Sequence, residues 1–115
     1  MKPAIYLTRR AAYDLREIHS HSSRKWGEQT ASQYVSDLYA AFAAAAANPE
    51  SGILRQHRST PFLMVSARSH FVIFERLETG IVILTLLHQT RDIEKWIAHL
   101  TPDFLREVSA LRARD

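Results

Sequence analysis

A chain of 115 residues falls in the ordinary range of a single domain and can bury a core without disulfides or metal. With 46% hydrophobic and 23% charged residues the composition is that of a folding chain. The absence of cysteine excludes a disulfide framework, a thiolate nucleophile and a Cys-ligated zinc site. The formal charge of +3 is only a mild basic bias, no run nears the roughly 18 apolar residues of a membrane span, and the expected setting is the cytoplasm.

Ala4 to Leu7 is a short apolar run, and Thr8 offers a side-chain oxygen where an N-cap is needed, so a strand followed at once by a helix is predicted. From Arg9, the spacing of Ala11, Ala12, Leu15 and Ile18 describes an amphipathic helix with Arg10, Asp14, Arg16 and Glu17 on its polar side. Trp26 is expected to anchor the end of this helix and Gly27 to cap it in a left-handed conformation. A second helix is predicted from Glu28 through Ala31, Tyr34, Leu38, Phe42 and Ala46 to Asn48-Pro49, its alanine run leaving room for close approach by a neighbour. Two helices joined around one glycine make an antiparallel hairpin.

The stretch from Pro49 to Pro61 lacks a clear period and reads as a loop. Strands are predicted at Phe62–Val65, Phe71–Glu78 and Ile81–His88, the last two joined by a turn at Glu78-Thr79-Gly80. The last strand is almost continuously apolar, which requires cover on both faces. Ile93, Trp96, Ile97 and Leu100, followed by Phe104, Leu105, Val108 and Leu111, predict two short helices broken at Pro102. The fold class is α+β.

Six histidines invite a metal assignment, but His19 and His21 lie two apart and point in different directions on a helix, so no metal site and no cofactor are expected. Neither a Gly-x-Ser-x-Gly elbow nor a Gly-rich phosphate loop is present. Between Ser51 and Phe74 stand Arg55, Arg58, Arg68, His57 and His70 with no Asp or Glu, a local basic excess able to meet phosphates or an acidic peptide. Arg68 and His70 enter one strand while His88 and Arg91 leave its hairpin partner, so all four are expected at one end of the sheet. There Arg could stabilise a phosphorane-like charge and His could act as acid or base. Equally, the histidines could cap strand ends and the arginines pair with Asp92 or Glu94.

Leu7-Thr8-Arg9-Arg10-Ala11-Ala12-Tyr13-Asp14-Leu15-Arg16-Glu17-Ile18, Trp26-Gly27, Asn48-Pro49-Glu50-Ser51-Gly52, Ser69-His70-Phe71-Val72-Ile73-Phe74 and Leu87-His88-Gln89-Thr90-Arg91-Asp92, in that order, resemble the RelE/ParE toxin superfamily, and its ParE branch most. The resemblance covers about Ile5 to Leu100. It implies a helical hairpin packed on a small, mostly antiparallel sheet. Residues 1–100 are expected to form a single toxin domain, with 101–115 a helical extension suited to docking or oligomerisation.

The resemblance further implies the toxin of a type II toxin-antitoxin pair, inhibiting DNA gyrase by binding and neutralised by a cognate antitoxin. Arg55, Arg58, Arg68 and His70 are the expected antitoxin contacts, and His88, Arg91 and Trp96 the expected target contacts, with no catalytic residue. The RelE branch instead cleaves messenger RNA on the ribosome, which here would use Arg68, His70, His88 and Arg91. That set departs from the RelE pattern: Gln89 follows His88, no tyrosine follows Tyr39, and lysine is limited to Lys2, Lys25 and Lys95. Phe74 and Arg91 also stand where ParE chains often carry Tyr and Met. A non-toxic antitoxin-binding module is the third alternative.

Overall fold

The computed structural model describes residues 2–57 and 60–114. In chain order it contains β1 (Ala4–Leu7), α1 (Arg9–Trp26), α2 (Glu28–Ala47), a 3-10 turn (Pro49–Ser51), β2 (Ile53–His57), β3 (Thr60–Ala67), β4 (His70–Arg76), β5 (Gly80–His88), α3 (Ile93–Ala98) and α4 (Pro102–Ala113). The five strands form one sheet in the order β1-β5-β4-β3-β2. Only the β1–β5 pair is parallel, Ala4 lying opposite Gly80 and Leu7 opposite Ile83; the rest are antiparallel.

Each face of the sheet carries its own core. On one, Ala11, Leu15 and Ile18 of α1 and Leu38, Phe42 and Ala45 of α2 meet Val72, Phe74, Ile81 and Ile83. On the other, Ile97, Val108, Phe104 and Leu111 from α3 and α4 meet Phe62, Ile73, Val82 and Leu84. This two-sided cover explains the nearly unbroken apolar run of β5, whose residues 80–87 are all buried. α4 is thus packed on the sheet, with Glu107 taking the Arg9 N–H at 2.8 Å and Arg112 reaching Glu75 at 2.7 Å.

Four local expectations are corrected. Residues 53–57 are not loop but the edge strand β2, paired from Ile53 opposite Met64 to His57 opposite Thr60. Trp26 does not anchor the hairpin: it is 54% exposed, with the Lys25 Nζ 4.8 Å from its ring centroid. Gly27 has the expected positive φ of 96°, but its ψ of 164° places it in a region only glycine populates rather than in the left-handed helical one.

Asp14 is buried rather than on the polar side of α1. β1 ends opposite Ile83, so β5 runs on with an unpaired edge toward α1. The Thr8 hydroxyl donates to the Leu84 carbonyl at 2.8 Å, and Asp14 accepts the Leu86 N–H at 3.1 Å and the Thr85 hydroxyl at 2.5 Å. The first turns of α1 thereby stand in for the missing strand and satisfy backbone groups that burial would otherwise leave unpaired.

Candidate functional site

The β3–β4 turn, the end of β5 and the helical hairpin together build one cleft of about 320 Å³, lined among others by His21, Trp26, Tyr34, Ser69, His70 and His88. The sheet register sets its floor, because His70 lies opposite His88 in the β4–β5 ladder and the two rings meet edge to face with centroids 5.3 Å apart. α2 supplies its wall. The Tyr34 hydroxyl accepts the Ser69 N–H at 3.0 Å and lies 2.7 Å from His70 Nδ1. Arg68 enters the turn with φ of 55°, a strained conformation for a residue with a Cβ. Its guanidinium stacks over the Tyr34 ring at 4.8 Å and its Nε lies 3.4 Å from the Asp37 carboxylate, which ties the turn to α2.

Hydrogen bonds hold both imidazoles in place. With the Ser69 N–H donating to the Tyr34 oxygen, the phenol and His70 Nδ1 share one further hydrogen between them. His88 Nδ1 accepts the Thr90 N–H at 3.2 Å and lies 2.9 Å from the Thr90 hydroxyl. A ring nitrogen that accepts carries no hydrogen, so the Thr90 N–H leaves Nε2 as the donor nitrogen of His88. Burial, followed by the neighbouring His88 and His21, lowers the His70 pKa to about 4. At neutral pH His70 is uncharged, which makes it neither a cation for phosphate nor a charged proton donor.

Of the four residues expected at one end of the sheet, Arg68, His70 and His88 are brought together. Arg91 lies beyond His88 with Trp96 in a separate cleft on the α1–α3 side. The anticipated pairing of Arg68 with Asp92 or Glu94 does not occur, since its partner is Asp37. Arg55 is exposed on β2 opposite Phe62, five residues along β3 from Ala67 and therefore about 17 Å from the Arg68 turn. Arg58 lies outside the described residues.

A larger apolar groove of about 570 Å³ runs between α4 and the β3 side of the sheet, lined by Phe62, Leu84, Leu100, Phe104, Leu105 and Arg112 among others. Leu105 is 47% exposed at its rim. Among the described residues no group of three or more His, Asp or Glu is placed to hold a metal, and no helix is long and apolar enough to cross a membrane.

Sequence reasoning missed Tyr34, Asp37 and His21. All three sit on the hairpin at positions whose spacing from His70 and Arg68 only the folded chain reveals. Tyr34 carried one signal, a hydroxyl at a position otherwise read as core, since a buried phenol requires a polar partner.

Comparison with known proteins identifies the family. A family model described as the ParE toxin of a type II toxin-antitoxin system, parDE, matches residues 5–93. Toxin ParE1 of Caulobacter vibrioides is 32% identical over 100 residues, covering 87% of this chain and 99% of that protein. Toxin ParE1 of Mycobacterium tuberculosis is 29% identical over 96 residues, covering 83% and 98%. A solved structure described as a chromosomal ParDE TA system from P. aeruginosa shares the fold with a TM-score of 0.64 at 20% identity, over 76% of this chain and 96% of that one.

Proposed function

The chain belongs to the ParE toxin family of type II toxin-antitoxin systems, and from that premise we propose that it arrests growth by binding DNA gyrase and is neutralised by a cognate antitoxin. The observation that carries a binding rather than a catalytic mode is the division of the four candidate residues. His70 is uncharged at neutral pH, Arg68 is engaged with Asp37 and Tyr34, and Arg91 faces a different cleft. An RNase built on those four residues needs them convergent on one phosphate. The proposal sets the protein in the cytoplasm, where gyrase works.

An amphipathic antitoxin segment fits the α4–β3 groove, where Phe62, Leu100, Phe104 and the exposed Leu105 offer apolar contact. Arg55 on the neighbouring edge strand faces the same side of the sheet as Phe62 and supplies a positive rim for acidic side chains. Target contact falls to the α3 surface, with Arg91 and Trp96, and to the outer edge of the histidine cleft at His88.

Expression of the full chain alone in bacteria is expected to stop growth, and the purified protein to block supercoiling by gyrase. Supercoiling that proceeds unchanged while ribosome-bound message is cut would replace this reading with the RNase one. Normal growth in the presence of folded protein would leave the non-toxic binding module.

A further inference from the structure

The cleft that receives Arg91 and Trp96 is rich in cations. About 280 Å³ in volume, it draws Arg10 from the first turn of α1, Arg91 from the loop after β5, Lys95 from α3 and His99 from the residue that caps it. We propose that this cleft grips backbone phosphates of duplex DNA.

Three observations support the assignment. Arg10 is held in place by Asp14, 3.1 Å from its Nε, yet its side chain remains 46% exposed. Arg91 and Lys95 are exposed and have no ion pair among the described residues, in contrast to Arg9, Arg68, Arg76, Arg106 and Arg112, each of which is matched to a carboxylate. The single carboxylate lining the cleft, Asp92, is turned to the backbone and accepts the N–H groups of Glu94 and Lys95 at 3.0 and 3.2 Å as the cap of α3.

The ligand is nucleic acid rather than an acidic peptide because the lining lacks what a peptide helix requires. Its apolar members are the buried Leu87 and the half-buried Trp96, with no strip on which a helix face could lie. Cations contributed by three separate elements suit a row of phosphates on a rigid duplex. The purpose of the contact rests on the gyrase reading, since gyrase holds the duplex it cuts, but the contact itself is measurable without gyrase.

The test is fluorescence anisotropy of the full-length protein with a fluorescein-labelled duplex of about 20 base pairs, titrated with NaCl. Contact with three phosphates gives a log–log salt slope of about −2.7, an affinity loss of roughly 40-fold between about 50 and 200 mM salt. Arg91→Gln and Lys95→Gln are each expected to reduce the slope by about one, and the double variant by about two. Lys2→Gln with Arg76→Gln, at the opposite end of the sheet, is expected to leave it unchanged.

A double Arg91→Gln/Lys95→Gln variant that keeps the parent slope overturns the assignment. So does a polyglutamate peptide that binds as tightly as the duplex at equal ionic strength, which would make the cleft an acidic-peptide site. Both substituted residues are exposed, and circular dichroism confirms that the variants remain folded. A flat salt titration removes this inference alone, whereas unaffected supercoiling removes the gyrase reading alone.

Discussion

The Asp14 carboxylate occupies a site that is more apolar than a carboxylate prefers, and burial raises its pKa even though Thr85, Leu86 and Arg10 all favour the charged form. Removing it strands the Leu86 N–H and the Thr85 hydroxyl inside the α1–β5 contact, so Asp14→Ala is expected to lower stability by about 3 kcal/mol in urea denaturation. Asp14→Asn, which keeps an acceptor oxygen, is expected to lose less. His70 gives a prediction in pH. Its pKa falls from 6.5 to about 4 on folding, so between those values the unfolded chain takes up a proton that the folded chain refuses. Stability is therefore full above about pH 6.5 and declines as pH falls toward 4, by about 2 kcal/mol once partial exposure is allowed for. Asp14 opposes this, because a raised carboxylate pKa makes the folded chain the better proton binder at low pH. Unfolding midpoints at about pH 4.5 and 7.5 should differ less for His70→Gln than for the parent, and an equal difference would refute the assignment. Neither role was legible in the sequence. Asp14 keeps the spacing of a polar face, and only the early end of β1 exposes the backbone that it serves.

Elements that bury a full face announced themselves in the sequence, and the one that buries little did not. α1 and α2 were readable because their apolar residues recur with the period of the face they cover, and β5 because two-sided cover makes its run almost continuously apolar. β2 is an edge strand with Ile53 62% and Leu54 66% exposed, so its neighbouring apolar side chains follow no alternation. α4 was visible as a helix, but its role depends on the sheet. Val108 is 5% exposed, and Phe104 and Leu111 pack against the second core. A chain ending at Leu100 is expected to lose about 3–5 kcal/mol, measured as a lower denaturation midpoint together with binding of an apolar dye to the uncovered face. If α4 were a detachable extension, the truncated protein would melt like the parent.

On the scale of the whole molecule, the order of parts was legible while the distribution of chemistry was not. The fold follows from apolar periodicity and turn residues, which are local. The expected quartet of Arg68, His70, His88 and Arg91 divided because the turn after His88 carries the chain around the sheet end, with Arg91 N–H bonded to the His88 carbonyl at 2.8 Å. Gly80 is where the N-terminal strand meets β5. A Cβ placed there would lie 1.9 Å from the Ala4 carbonyl oxygen, so close approach by β1, rather than a positive φ, is what requires glycine. Gly80→Ala is accordingly expected to push β1 off the sheet and lower stability by about 3 kcal/mol or more, with faster amide exchange at Tyr6 and Leu7 than at the β3–β4 pair.

That parallel pairing also sets a clock on synthesis. Ala4–Leu7 leaves the ribosome first, but its partner Gly80–Ile83 follows only after two helices and three strands have been made. Until then the opening strand has nothing to dock against, and the Thr8 and Asp14 bonds to Leu84, Thr85 and Leu86 cannot form. A growing chain thus gains its β1–β5 pairing and the α1–β5 bonds together, in one late step of its synthesis.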